Sequence, residues 1–338
     1  MAPRKVDCGL EVVRHFFNVL ALEEKSCLRE DRGFTWWGDD LAQRVWADRA
    51  VNRDGITVWK VHARIDFLKD FVDTEENLGL LSELASHASL GGGLIRDESR
   101  RDRIQLAAVL YATRSTLQWA KAFFPTVAAT HAAEAHLMAQ SLADMAGCSP
   151  AHSAHPVYGP GKRHRALDVL GSWVRGGRKP PVWTAEEFEA AAAEIATIEP
   201  FAPSVTDSGL TIEFPFGDSK ASCEMTTKTE HPTYYNGLLV RLTLPVALSE
   251  AADPEIVLRC NLFEINSLTE VNHFTGSCSI GEHGFSYNNF IPNLPAFRSV
   301  PFLISMIQLM SARTRWFAVA IRKEEWPLEE KKQRGWLN

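Results

Sequence analysis

The sequence predicts an α+β protein, a tandem repeat of two α-β-β-β-α-β-β-α units with antiparallel sheets. Three observations carry this. The chain has 338 residues, 45% of them hydrophobic, about twice the length of a typical domain and ample for two cores. The stretch "ITVWKVHARIDF" alternates strictly: Thr57, Trp59, Val61, Ala63, Ile65 and Phe67 fall on one side, and Lys60, His62, Arg64 and Asp66 on the other, as in a strand with one buried face. The heptad "WWGDDLA" at 36–42 also returns in part as "PFGDSKA" at 215–221, with the Gly-Asp step and an alanine at matching places.

Each element of the first half has a local reason. Leu10, Val13, Phe17, Leu20 and Leu28 recur at helical spacing between charged residues, an amphipathic helix. "QRVWADRAV" reads as a strand entering a hairpin at Asn52–Gly55, and the alternating strand follows. A helix over about Asn77–Ser86 precedes two short strands, Leu90–Ile95 and Ile104–Tyr111. The half closes with a helix over Leu117–Met145, expected to break or kink at Pro125 because proline cannot donate the helical hydrogen bond.

The second half repeats the order. Thr184, with Glu187 three residues on, is a capping box opening a helix. "GLTIEFPFGD" puts Leu210, Ile212, Phe214 and Phe216 on one face, and "LLVRLTLP" alternates after Gly237. A helix over Pro254–Val271, strands in "FTGSCSI" and "GFSYNNF", and a helix over Val300–Ala320 complete it. That last helix reads as apolar nearly all round, hence buried on every side. The repeat pairs Gly38-Asp39 with Gly217-Asp218, Gly55 with Gly237, and "LGGGLI" with "FTGSCSI".

These readings divide the chain into a first unit at 1–146, a linker at 147–183 and a second unit at 184–338. The linker is rich in Gly, Pro and His, has room for one short helix, and is basic, with six Lys and Arg against one acid. It is expected to be solvated, mobile and free of metal. The net charge of −6 argues against a nucleic-acid partner. No apolar run reaches the roughly 20 residues of a membrane span, and there is no signal-peptide pattern, so a cytoplasmic protein with reduced cysteines is expected.

The element order, the glycine-aspartate turns and the helices around Leu80–Leu84 and Leu262–Leu268 resemble the type III secretion chaperone-like superfamily. The resemblance is to its YbjN-like branch and the tandem, TY-Chap-like proteins. It implies a non-catalytic chaperone-like or adaptor protein that binds an extended segment of a partner protein. The second unit would take the place of a dimer partner, giving a monomer that is an intramolecular pseudo-dimer.

The chemistry-bearing residues form no catalytic constellation in sequence. Cys148, His152, His155 and His164 match no closed zinc spacing, and no metal or other cofactor is expected. His131 and His136 lie five apart, too far round a helix to share an ion, and read as surface or partly buried. Asp39 and Asp40 are turn residues. The aromatic residues are the better candidates for a partner-binding surface: Trp36, Trp37, Trp46 and Trp59 in the first sheet, and Tyr234 and Tyr235 in the second half. Adjacent strand residues point to opposite faces, so Trp36 and Trp37 need two different covers. The alternative is an enzyme, hydrolase or nucleotide-acting, assembled in a cleft from His62, His231, His273, His283 and the Asn288-Asn289 pair.

Overall fold

The computed structural model describes residues 6–53, 55–96, 99–198, 203–246, 255–266, 273–281 and 284–322. These residues form seven α-helices and two antiparallel sheets. The N-terminal half runs α1 (Cys8–Leu20), β1 (Cys27–Glu30), β2 (Gly33–Trp37), β3 (Ala42–Ala47), β4 (Val51–Arg53), β5 (Ile56–Lys69), α2 (Glu75–Ser86), β6 (Gly93–Arg96), β7 (Ile104–Ala112) and α3 (Leu117–Ala146). After β8 (Ser149–Pro150) and α4 (Val169–Gly177) come α5 (Ala185–Ile198), β9 (Ser204–Thr206), β10 (Gly209–Phe216), β11 (Ser219–Thr226) and β12 (Gly237–Leu244). The chain goes on through α6 (Glu255–Asn266), β13 (His273–Phe274), β14 (Ser277–Gly281), β15 (Gly284–Pro292) and α7 (Val300–Arg322).

Local chemistry sets the element ends. Asp7 caps α1, its carboxylate accepting from the Leu10 N–H at 3.0 Å, and Thr74 caps α2 through the Asn77 N–H at 3.1 Å. The expected capping box opens α5: the Thr184 N–H donates to the Glu187 carboxylate at 3.0 Å. The β4–β5 hairpin turns at Gly55, whose φ of +83° suits glycine.

The compact units do not follow the expected boundaries. The first takes the described residues within 1–73, 91–170 and 272–275; the second takes those within 74–90, 171–271 and 276–338. In the first, α1 and α3 cover one face of a sheet ordered β1-β2-β3-β5-β7, with both β6 and β13 on the far edge of β7. In the second, α5 and α7 pack together and α7 lies on a sheet ordered β9-β10-β11-β12-β15-β14. Helix α2, from the N-terminal half, packs on β14 of the second unit, where Ser82 Oγ donates to the Ile280 carbonyl at 3.1 Å.

Cross-strand pairing gives the two sheets the same rows. In the first, Glu30, Gly33, Trp46, His62 and Val109 stand side by side; in the second, Thr206, Gly209, Thr226, Leu239 and Phe290 do. Glycines stand at the same place in both rows. A β-carbon on Gly33 would run into the Val45 carbonyl, and one on Gly209 into the Met225 carbonyl. Gly92 and Gly276 are constrained alike, by the carbonyls of Ala107 and Asn288. The rows correct two of the expected pairs. Gly38 lies five residues past Gly33, whereas Gly217 lies eight past Gly209, at the tip of a longer hairpin, and Gly55 and Gly237 fall in different rows. "LGGGLI" and "FTGSCSI" do share a row position through Gly92 and Gly276.

Three further expectations change. Helix α3 runs unbroken through Pro125. Helix α7 is not buried all round: Leu303, Met306, Ile307 and Met310 are buried, but Pro301, Ser305, Gln308 and Arg315 are exposed. The segment 147–183 is not a solvated linker. Leu167, Trp173 and Trp183 are buried, and the segment divides between the units after Leu170. It also supplies the second cover that the tryptophan pair requires. Trp36 is buried beneath Phe16 and His164, while Trp37, on the opposite face, is covered by His155 and donates to Ser153 Oγ at 3.2 Å.

Candidate functional site

The face of the first sheet away from α1 and α3 carries the polar half of each alternating strand. From β2, β3, β5 and β7 it presents Thr35, Arg44, Trp46, Arg64, Asp66 and Gln105. The loop before β7 adds Arg100 and Arg103, and Ala151, His152 and Ser153 follow β8. With Ala42 and Lys69 these residues line a pocket of about 400 Å³. Five of them are cationic and one, Asp66, is acidic.

Strand register sets the geometry. Arg44 on β3 stands directly opposite Arg64 on β5, with Thr35 beside Arg44 and Ala107 beside Arg64. Like charges directly opposite destabilise a sheet, and two devices contain them here. The Arg44 fork donates to Glu30 from Nε at 2.9 Å and from Nη2 at 2.6 Å, and the Arg44 and Arg64 guanidiniums lie over the Trp46 ring at 4.9 and 5.4 Å. Asp66 gathers Arg100 and Arg103, each at 2.9 Å, and the Gln105 amide at 2.6 Å. Gln105 is buried, and its Oε1 has no hydrogen-bond partner among the described residues.

Behind Trp46 lies a histidine–carboxylate pair. His62 stacks on the indole at 4.5 Å and 4°, and its Nε2 meets Asp48 Oδ2 at 2.8 Å. Burial holds the His62 imidazole below its ordinary range in spite of Asp48. Burial alone would raise Asp48, but the hydrogen bond and charge of His62 hold it low. Near neutral pH the contact is therefore a hydrogen bond donated by the Nε2–H of a neutral imidazole to the Asp48 carboxylate. The remaining His62 nitrogen, Nδ1, is buried, with no hydrogen-bond partner among the described residues.

The aromatic candidates separate clearly. Trp36, Trp37, Trp59 and Tyr234 are buried, the first two under the covers described above, and belong to cores. Trp46 is half-buried and lines the pocket. Tyr235, 37% exposed with φ of +59°, sits in a turn with Arg178 over its ring. The alternative catalytic set is not brought together within either unit: His62 and His273 belong to the first, His231 and Asn288-Asn289 to the second, and His283 lies outside the described residues.

The histidines have a structural use that sequence reasoning missed. In "HPVY" at 155–158 and "HPTY" at 231–234, His Nδ1 accepts from the N–H groups two and three residues on, at 3.1 and 3.2 Å. Its Nε2 donates to a carbonyl, Cys27 at 3.3 Å or His87 at 2.8 Å. Each turn then closes at a positive-φ residue, Gly159 or Tyr235. His164 works the same way, between the Ala166 N–H and the Leu20 carbonyl. The recurring His-Pro-x-Tyr was the available signal. His131, expected near the surface, is fully buried, with Nδ1 2.7 Å from Gln43 Nε2, while Gln43 Oε1 accepts from the Trp36 indole at 2.7 Å.

Among the described residues no group of three or more His, Cys, Asp or Glu could hold a metal ion, and no helix is long and apolar enough to cross a membrane. No known protein family, curated protein or solved structure matches this chain.

Proposed function

We propose that this chain is a non-catalytic, chaperone-like adaptor that binds an extended acidic segment of a partner protein on the outer face of the first sheet. The observation that carries the reading is the pocket itself, five cations against one lining carboxylate around a half-buried tryptophan. Such a surface attracts an anionic chain and offers no acid–base pair with access to it.

The same proposal includes a tandem duplication of secretion-chaperone-like units within a monomeric cytoplasmic protein. Its support is the common strand order, the matching rows and the two pairs of glycines held by equivalent carbonyls. A monomer follows if the second copy takes the place of a dimer partner.

The experiment is fluorescence polarisation of the full chain with labelled ten-residue peptides, one rich in glutamate, one rich in lysine and one of serine and glycine. The glutamate peptide is expected to bind at micromolar concentration and to weaken with salt. Equal binding of all three peptides, or none of the glutamate peptide, would sink the adaptor reading. Light scattering tests the monomer: a mass near 37.7 kDa is expected.

A further inference from the structure

We propose that the second unit carries a docking surface of its own for an acidic peptide, made by the Tyr235 ring and the three cations at the end of α4: Arg175, Arg178 and Lys179. It shares no residue with the pocket of the first sheet and does not depend on the reading given to that pocket.

The backbone at Tyr235 is the first sign. The turns at His155 and His231 are built alike, and each closes on the residue four further on, where φ is +73° at Gly159 and +59° at Tyr235. Glycine meets this conformation without strain, whereas a bulky side chain is held there at a cost. The contact that the ring makes does not offset that cost. Arg178 lies over it at 5.5 Å, but Tyr235 is 37% exposed, and a cation–π contact open to solvent is worth less than the strain. A strained backbone that keeps an aromatic ring at the surface points to use of the ring by something outside the chain.

The charges are the second. Arg175, Arg178 and Lys179 stand at i, i+3 and i+4 along the end of α4, which the Arg178 N–H continues by bonding the Val174 carbonyl at 3.3 Å. All three are exposed and make no side-chain hydrogen bond or ion pair among the described residues. They do not cap the helix either. Asn236 Nδ2 donates to the Gly177 and Lys179 carbonyls at 3.0 and 3.1 Å, and Asn293 Nδ2 to those of Gly176 and Pro180, each at 3.0 Å. No acid lies in 171–183, and the turn's own Lys228 and Glu230 carry one charge of each sign. The helix end is seated closely on the turn, because a β-carbon on Gly177 would run into the Tyr234 carbonyl. A short run of carboxylates needs only this local cluster, whereas a nucleic acid or a membrane meets the whole chain and its net charge of −6.

The test is fluorine NMR of the full chain, whose five tyrosines are labelled as fluorotyrosine and whose Tyr235 signal is assigned by its loss in Tyr235→Phe. The glutamate-rich peptide is expected to shift this signal, less so as salt rises from about 50 to 200 mM, and the lysine-rich one to leave it in place. Arg175→Ser with Lys179→Ser should raise the peptide concentration required about tenfold at an unchanged melting temperature. Arg44→Gln should leave the shift as it is, so that failure of this surface and failure of the first-sheet pocket are told apart. Tyr235→Gly should melt at about the native temperature, since relief of the backbone offsets the lost ring contact. A Tyr235 signal unmoved by the glutamate peptide at about millimolar concentration overturns the proposal. So does an equal shift from both peptides, a stronger one from oligothymidine or phosphatidylserine vesicles, or a fall of about 5 °C or more in Tyr235→Gly, which would make the ring a structural part of the turn.

Discussion

Two rows of residues, one from each sheet, differ at the place where it matters. In the first sheet Thr35, Arg44, Arg64 and Ala107 stand side by side; in the second, Thr211, Glu224, Arg241 and Asn288 do. Both rows begin with threonine, and both have arginine on the third strand. The second strand differs: in the second sheet Glu224 faces Arg241, which donates to Asn288 Oδ1 at 3.0 Å, whereas in the first Arg44 faces Arg64 and donates to Glu30. One framework thus carries opposite charges across the strands on one face and like charges on the other.

The cores differ in the same manner. The first hides a neutral relay, Trp36 to Gln43 to His131. The second hides an ion pair: Arg313 donates to Glu264 through Nε at 2.9 Å and lies over the Tyr287 ring, all three buried. Arg313→Leu should have the largest effect, about 3–5 kcal/mol of lost stability, because it leaves the Glu264 carboxyl buried without its partner. Gln43→Leu should lose about 1–3 kcal/mol, the cost of an orphaned indole N–H and imidazole. Urea denaturation measures both, and equal losses would remove the distinction between the two cores.

Acid should strike both units at once. Burial pushes His131 in the first unit and His231 in the second down to about 4, so both stay neutral in the folded chain, while in the unfolded chain they protonate near 6.5. The unfolded state therefore takes up protons first, and stability is full above about pH 6.5 and falls as the pH drops toward 4. The loss is on the order of 2–3 kcal/mol per histidine. Melting temperatures measured from pH 7.5 to 4.5 check this. His131→Leu should flatten the profile, and a profile unchanged by that substitution would refute the assignment for His131. The smallest effect expected is that of Glu224→Arg, which writes the first sheet's arginine pair into the second: a loss of about 0.2–1 kcal/mol, read as a small drop in melting temperature.

What could be read in the sequence was what short range determines. The alternation of β5, the Thr184–Glu187 box and the Asn52–Gly55 hairpin all follow from neighbours within a few residues. The row match was half legible. "LGGGLI" and "FTGSCSI" carry glycines that a neighbouring carbonyl requires, whereas the shared Gly-Asp heptad marks hairpin tips that differ in length. Segment 147–183 misled because glycine, proline and histidine usually mean solvent exposure, and nothing local signals that His155 and His164 cap backbone while Trp173 and Trp183 are buried. The pocket was out of reach because its cations come from β3, β5 and the loop before β7, and only register places Arg44 opposite Arg64. Of the six aromatic candidates, Trp36, Trp37, Trp59 and Tyr234 are buried, Tyr235 is exposed in a turn, and Trp46 lines the pocket.

The path of the chain sets the order in which the protein can be made. The first unit requires β13, which lies beyond residue 272, and the second requires α2, already made by residue 86. A ribosome delivering this chain would therefore release α2 long before the strand it packs against exists, and the first sheet would lack its last strand until most of the polypeptide had emerged. Each unit thus takes a segment from the far side of the other's sequence, and neither has all its segments until residues beyond 272 have been made.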